Sequence, residues 1–341
     1  MILFLVLMVL SIWAVVSRSG SYSLSLLKET LHNSKVGYLI AACVGMFCNI
    51  LCEGIALDVL VKALTKNNPD KIKCHGTIYS AADIYFSAIT PSASGGQPAS
   101  AFFMSRDGIP MAQSAVILVT NMFLYTVALV FLGIIGFLIC PFVFAGFDPL
   151  AKVFIILGFV FLTGLSVIFV LVLKKEQWVK HFAVTAISLG AKLHVIRHKE
   201  AKLNKVDRAI GQYKACAGII DEEKGSIAIA FLFNFLQRVA LLSTTVLVYL
   251  AFGGSFGNLG RVISIQSMVL VGVYSLPIPG GMGVADYLLI NGLEKVPDVV
   301  SPANLELISR GISFYCCIIL SIIIVIAGYF YQRHLLKKRN G

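Results

Sequence analysis

The sequence predicts an all-α, polytopic membrane helix bundle with about six spanning helices and two re-entrant hairpins in an inverted repeat. Of its 341 residues, 58% are hydrophobic and 13% are charged, whereas soluble domains are about half apolar and about a quarter charged. The mean hydropathy is +0.87. Long apolar runs recur along the chain, and two further apolar stretches are broken by Pro and Gly. We therefore expect a bilayer to surround most of residues 1–341, which we treat as one membrane domain.

Six uninterrupted apolar runs are predicted to span the bilayer, because a spanning helix needs roughly 20 apolar residues. They cover residues 2–17, 36–62, 112–139, 153–173, 227–252 and 303–331. The first run is short for a span. It lacks the basic start of a secretory signal peptide, so we expect a retained helix, with a cleaved signal as the alternative.

Two apolar stretches, residues 76–104 and 262–292, are interrupted in the middle and predict re-entrant hairpins. The first contains TPSASGGQP at residues 90–98, and the second contains PIPGGMG at residues 277–283. Broken backbone at membrane depth is tolerated only where protein or a water-filled cavity satisfies its polar groups. Two such hairpins are typical of transporters built from inverted repeats. The alternative is that each stretch forms two short interfacial helices.

The distribution of basic residues predicts the orientation. The net charge is +11, and Lys and Arg concentrate in the loop 62–73, in the segment 174–225 and after residue 331, while the loop 140–151 has none. The positive-inside rule places the basic segments and both termini in the cytoplasm. Residues 174–225 then form a basic cytoplasmic segment between two halves. Charge scattered between spans indicates topology and anionic-lipid contacts rather than DNA binding.

Ionisable residues inside apolar runs are the first candidates for function, since each costs roughly 2.5–3.5 kcal/mol on insertion scales. They are Glu53, Asp58, Asp83, Arg238, Asp286, Glu306 and Arg310. Both signs of charge are present, so that pairing of Glu53 or Asp286 with Arg238 or Arg310 is feasible. The pairs either line a substrate pathway or only fix the bundle.

The broken motifs predict anion-binding helix starts. Pro98 suits the first turn of a helix that follows Gly95 and Gly96, and helix N-termini bind phosphate or carboxylate. Asp286 follows the second glycine motif, where the alternative is a simple capping role. The predicted substrate-binding residues are Glu53, Pro91, Ser94, Gly95, Gly96, Gln97, Arg238, Pro279, Gly280, Gly281, Gly283, Asp286 and Arg310.

Motifs of catalysis, metal binding and nucleotide binding are missing from the sequence. There is no nucleophile elbow, phosphate loop, HExxH or dinucleotide fingerprint, and the eight cysteines include no CxxC pair. We therefore predict no catalytic residue, no metal, no cofactor and no direct use of ATP.

The two motifs resemble those of a known family. Residues 89–98, ITPSASGGQP, with RDGIP at residues 106–110, look like the first signature of the lysylphosphatidylglycerol synthase transmembrane family, and PIPGGMGVAD at residues 277–286 looks like the second. The resemblance covers essentially the whole chain. In multiple peptide resistance factors this region is the flippase part, which moves lysyl- or alanyl-phosphatidylglycerol to the outer leaflet. A separate cytoplasmic acyltransferase domain makes the lipid, and we expect none here because Gly341 closely follows the last span.

The resemblance implies a flippase-like protein of a bacterial plasma membrane that moves lysyl-phosphatidylglycerol or a related lipid and lowers sensitivity to cationic peptides. Its implied partners are phosphatidylglycerol, lysyl-phosphatidylglycerol and a separate aminoacyl-lipid synthase, and a homo-oligomer is compatible with the sequence. One alternative is a phosphatidylglycerol lysyltransferase that uses lysyl-tRNA, acting alone or with a partner. Another is a small-solute secondary transporter.

Overall fold

The computed structural model describes residues 34–65, 75–90, 94–174, 218, 222–275, 281 and 283–340. The predicted span 2–17, most of the basic segment 174–225 and the central residues of both glycine motifs lie outside these ranges. Within them the chain forms helices and no strand.

Eleven α-helices make up the described structure, and we number them in chain order. They are α1 (Val36–Leu64), α2 (Gly76–Ile89), α3 (Gly96–Arg106), α4 (Met111–Ile139), α5 (Pro141–Gly146), α6 (Pro149–Lys174), α7 (Lys224–Ala251), α8 (Leu259–Gly272), α9 (Val284–Leu293), α10 (Pro302–Arg310) and α11 (Cys317–Asn340). Short 3₁₀ turns, Phe256–Asn258 and Val273–Ser275, flank α8, and a π-helical turn, Gly311–Cys316, joins α10 to α11.

Six helical runs in the described chain are long and apolar enough to cross a membrane, which confirms the polytopic all-α fold. Five of them, formed by α1, α4, α6, α7 and the run Pro302–His334, coincide with predicted spans. The sixth is Phe256–Ser275, which the sequence assigned to the first arm of a hairpin. The 3₁₀ turns cause this difference, because they extend the 14-residue α8 to a 20-residue run.

The first hairpin is formed by α2 and α3, which pack antiparallel. Ser100 Oγ on α3 donates to the Tyr79 carbonyl on α2 at 2.7 Å, and nearer the tip Gln97 Nε2 donates to Asp83 Oδ2 at 3.0 Å. The arms have 14 and 11 residues, so they are only about 21 Å and 16 Å long. Neither arm reaches across a hydrocarbon core of about 30 Å.

The second hairpin is formed by α8 and α9. Gly272 on α8 packs against Leu288 on α9, and Gly292 on α9 packs against Ile265 on α8. Because α9 has only 10 residues, its length of about 15 Å is half that of a span.

The two halves of the bundle pack in a reciprocal way. The first half is α1, the α2–α3 hairpin and α4, and the second is α7, the α8–α9 hairpin and the run from α10 to α11. Helix α1 packs along α7, α4 packs against α8 of the other half, and α11 packs against α2 of the other half. A long helix of each half therefore packs against the hairpin of the other half.

The exterior of the spans is apolar. Phe131 and Leu138 on α4, and Val160 and Phe161 on α6, are among the large hydrophobic side chains that remain exposed. Polar side chains such as Glu53, Asn234 and Gln237 are instead buried. This inside-out distribution suits a protein surrounded by lipid chains.

Candidate functional site

A group of polar side chains from both halves meets inside the bundle, and we call it the central cluster. It consists of Glu53 on α1, Ser80 and Asp83 on α2, Gln97 on α3, and Gln237 and Arg238 on α7. The polar residues of the first hairpin therefore lie beside the interface between α1 and α7.

Glu53 is the most buried acid of the central cluster, with 6% of its surface exposed. Its Oε2 accepts hydrogen bonds from Ser80 Oγ and from Gln237 Nε2, both at 2.9 Å. The Glu53 carboxyl group also lies close enough to Asp83 to interact with it electrostatically. Side chains from two other helices, α2 and α7, therefore hold this carboxyl group inside the bundle.

Asp83 lies against the start of α3, where the sequence predicted an anion. Its Oδ1 accepts from Ser87 Oγ at 3.3 Å and its Oδ2 accepts from Gln97 Nε2. A Cβ atom on Gly96 would lie 2.0 Å from Asp83 Oδ1, so only glycine permits this approach. The carboxyl group of Asp83 therefore lies at the end of α3 where the sequence predicted a bound anion.

Arg238 is the cation of the central cluster. Its guanidinium lies 4.7 Å from the centre of the Tyr125 ring, and Tyr125 Oη donates to Tyr274 Oη at 2.9 Å. The Nε atom of Arg238 is buried without a hydrogen-bond partner, and no described carboxylate lies within ion-pair distance of the guanidinium. Unused guanidinium donors beside aromatic rings suit a phosphate or a carboxylate.

Arg310, unlike Arg238, has carboxylates beside its guanidinium. It forms an ion pair with Asp286, and its Nε lies 3.3 Å from Glu306 Oε1. Asp286 also accepts a hydrogen bond from the Gly283 N–H at 3.0 Å, which caps α9. The predicted pairing of Asp286 with an arginine is thus confirmed, together with its capping role.

The tip of the second hairpin depends on its glycines. Gly281 and Gly283 have φ angles of 62° and 84°, a region that side chains with a Cβ atom rarely adopt. Immediately after Arg310 the chain forms the π-helical turn Gly311–Cys316. Such turns are frequent at functional sites.

Each hairpin is anchored at its open end by an aspartate. Asp107 accepts from Gln332 Nε2 at 2.8 Å and from Tyr79 Oη, and it lies 2.9 Å from His75 Nδ1.

Asp298 anchors the second hairpin at its open end. It accepts from Tyr249 Oη at 2.5 Å, from the Ser255 N–H at 2.7 Å and from Asn258 Nδ2 at 3.0 Å. Both anchoring aspartates thus lie just after the second arm of their hairpin.

The structure divides the predicted site residues into two groups. It brings Glu53, Gln97 and Arg238 into the central cluster, with Ser94, Gly95 and Gly96 at the adjoining hairpin tip. It brings Gly283, Asp286 and Arg310 together elsewhere, with Gly281 in the same turn. Pro91, Pro279 and Gly280 lie outside the described residues.

Some polar residues at the site were not predicted from the sequence. They are Ser80 and Gln237 of the central cluster, and Tyr125 and Tyr274 beside Arg238. The available signal was polar side chains at helical spacing within apolar runs, such as Ser80 three residues before Asp83.

Comparison with known proteins identifies the family. Residues 1–327 match the family model described as the lysylphosphatidylglycerol synthase TM region. No curated protein and no solved structure matches the chain. Because the match covers far more than half of the 341 residues, the chain belongs to the family of lysylphosphatidylglycerol synthase transmembrane regions.

Proposed function

We propose that this multi-pass membrane protein is a flippase that moves aminoacylated phosphatidylglycerol, such as lysyl-phosphatidylglycerol, or a related lipid between leaflets. We further propose that it acts in a bacterial plasma membrane with both termini in the cytoplasm. A separate synthase would supply the lipid, and its exposure outside would reduce binding of cationic peptides. The observation that carries this proposal is the unpaired guanidinium of Arg238 beside a buried carboxyl pair.

Arg238 supplies a site for the lipid phosphate. Its guanidinium is held by the Tyr125 ring and has a buried Nε without a partner. A phosphodiester that bound there would fill donors that the protein leaves unused, and charge-assisted hydrogen bonds of this kind are worth about 1.5–3 kcal/mol. Arg310 does not offer the same site, because its guanidinium is already paired with Asp286 and Glu306.

Asp83 supplies a site for the amines of the head group. It is the more exposed member of the carboxyl pair with Glu53, and both acids lie close enough to Arg238 to interact with it electrostatically. A lysyl ester carries amines a few ångströms from its phosphate, so this arrangement of one cation and two acids suits such a head group.

An apolar cavity between α1 and the start of α11 supports a lipid rather than a small solute. It has a volume of about 450 Å³ and is lined by Leu39, Ile40, Cys43, Val44, Phe47, Cys316 and Leu320. Helix α1 also carries Glu53, so the apolar cavity and the central cluster share one helix.

A leaflet assay with an Arg238→Gln variant tests the proposal. Proteoliposomes would contain fluorescent lysyl-phosphatidylglycerol or phosphatidylglycerol, and an external quencher would report its exposure. We expect the wild type to accelerate exposure and Arg238→Gln to slow it about 10- to 100-fold, the loss that corresponds to 1.5–3 kcal/mol. The matched control is Arg261→Gln, because Arg261 is exposed on α8.

Equal rates in wild-type and protein-free liposomes would contradict the flippase. In that case lysyl transfer from lysyl-tRNA to phosphatidylglycerol, and uptake of a panel of small solutes, would test the two alternatives with the same preparation.

A further inference from the structure

Arg106, the last residue of α3, lies against two aromatic rings at the open end of the first hairpin. Its guanidinium is 4.4 Å from the centre of the Tyr329 ring on α11 and 5.7 Å from the centre of the Phe102 ring, one turn earlier on α3. Such rings attract the positive charge but offer its N–H groups no oxygen acceptor. The arrangement repeats that of Arg238 beside Tyr125 at the central cluster.

The hydrogen-bond donors of Arg106 remain unused within the part of the chain that the structure describes. Its Nε is buried without a partner, and no described carboxylate lies within ion-pair distance of the guanidinium. The neighbouring Asp107 does not compensate, because its carboxylate accepts from Tyr79 Oη and Gln332 Nε2 instead. A buried donor without an acceptor is costly, so an anion that bound Arg106 would satisfy a group that the protein leaves unpaired.

The residues around Arg106 place it at the level of the lipid head groups. The three aromatic residues 329–331 of α11 are exposed, and the helix continues directly into the polar segment 332–334, which includes the exposed Arg333. Exposed aromatic side chains that give way to basic ones are typical of the boundary between hydrocarbon and head groups. Arg333 lies one turn beyond Tyr329 on the same face of α11, and its charge favours an anionic head group over a zwitterionic one.

We propose that Phe102, Arg106 and Tyr329 form a binding site for the phosphate of an anionic phospholipid, which we call the Arg106 site. The lipid lies in the leaflet at the open end of the first hairpin. A planar guanidinium with unused donors matches a phosphodiester, which can accept two parallel hydrogen bonds. Along α3, Arg106 lies nine residues beyond Gln97, which is about 14 Å. The Arg106 site is therefore distinct from the central cluster and does not depend on lipid movement.

A phospholipid suits the Arg106 site better than a free phosphate ion, which has the same acceptor chemistry. Phe330 packs edge-to-face against Tyr329, with ring centres 5.9 Å apart, and both Phe330 and Phe102 are exposed. These rings form an apolar surface beside the guanidinium. Acyl chains would cover that surface and gain from its removal from water, whereas a free ion would leave it bare.

Native mass spectrometry of the full chain, titrated with phosphatidylglycerol in detergent, tests the Arg106 site. We expect Arg106→Gln to weaken one phosphatidylglycerol binding event about 10- to 100-fold, as for the loss of charge-assisted hydrogen bonds. Arg106→Lys should recover only part of this affinity, because an ammonium lacks the planar pair of donors. Arg261→Gln, which removes an exposed arginine of α8, is the matched control and should bind like the wild type.

Two further arms separate the Arg106 site from its alternatives. Arg106→Gln should cause the same loss in an Arg238→Gln background, because the two arginines serve separate sites, and a loss that disappears there would overturn the separate site. Millimolar inorganic phosphate should leave the bound lipid in place. Displacement of the lipid by inorganic phosphate would overturn the assignment to a phospholipid.

A measurement on the wild type keeps the test decisive if a variant folds poorly. Phenylglyoxal, which modifies arginine side chains, should react with Arg106 about tenfold more slowly in phosphatidylglycerol nanodiscs than in phosphatidylcholine nanodiscs, because bound lipid covers the guanidinium. Equal reaction rates in the two lipids, or equal affinities of Arg106→Gln and Arg261→Gln for phosphatidylglycerol, would overturn the Arg106 site.

Discussion

At the scale of single residues, Arg238 and Arg310 differ in their surroundings, although both are arginines inside apolar runs. Arg310 is paired with Asp286 and Glu306, whereas Arg238 contacts the Tyr125 ring and keeps a buried donor unused. Buried ion pairs fix structure and lose much stability when one partner is removed. Arg310 therefore holds the second hairpin to α10, and Arg238 is available to a ligand.

The ion pairs of Arg310 predict that replacing this residue with an uncharged one destabilises the folded protein. Arg310→Gln leaves Asp286 and Glu306 without their cation, so we expect the free energy of unfolding to fall by about 3–5 kcal/mol. Thermal unfolding in detergent measures this. Adding Asp286→Asn and Glu306→Gln to the variant should recover part of the loss, and equal stability of Arg310→Gln and the wild type would contradict the structural role.

The close approach of Asp83 to Gly96 leads to a second prediction about a single residue. In Gly96→Ala the Cβ atom would lie 2.0 Å from Asp83 Oδ1 and 2.1 Å from Ser87 Oγ, so Asp83 must move. We expect a loss of about 1–3 kcal/mol and slower lipid transport. Gly164→Ala on α6 is the matched control, because nothing lies within 4 Å of the added Cβ. Similar behaviour of the two variants would show that the close approach is unimportant.

At the scale of elements, each hairpin depends on the aspartate at its open end. Although slight burial acts to raise the pKa of Asp298, the hydrogen bonds from Tyr249, Ser255 and Asn258 outweigh it and lower the pKa below its ordinary value. A group whose pKa is lowered by folding stabilises the folded state above its unfolded pKa, and this contribution is lost as the pH falls through the folded pKa.

The role of Asp298 predicts that the difference in stability between Asp298→Asn and the wild type depends on pH. Asp298→Asn should be less stable than the wild type at pH 7, and the difference should narrow below about pH 4, near the ordinary pKa of aspartate. Thermal unfolding across this range measures it, with Glu294→Gln as the control. A difference that does not change with pH would contradict the role of the ionised carboxylate.

At the scale of the whole molecule, the reciprocal packing of the two halves predicts that the hairpins open on opposite sides of the membrane. In a background without native cysteines, Ser105→Cys and Val300→Cys place exposed thiols at the two open ends. An impermeant maleimide applied to intact cells should label only Val300→Cys, and it should label Ser105→Cys only after the cells are opened. Labelling of both from one side would contradict the inverted repeat.

Much of the fold was determined by the sequence itself. Runs of apolar residues predicted the spans formed by α1, α4, α6, α7 and the run Pro302–His334, because burial in lipid depends on the composition of each segment alone. Pro and Gly predicted the breaks in both hairpins for an equally local reason. The exception was Phe256–Ser275, since the turns that lengthen α8 carry no strong compositional signal.

The tertiary structure alone decided the composition of the site. The sequence contained Glu53, Asp83 and Arg238 as separate costly residues, and nothing in their spacing stated which acid would meet which arginine. The packing of α1 along α7 and the return of the first hairpin place the two acids together beside Arg238, while Asp286 pairs with Arg310. Contacts between residues far apart in the chain depend on how the helices are arranged in space, and local sequence patterns do not encode that arrangement.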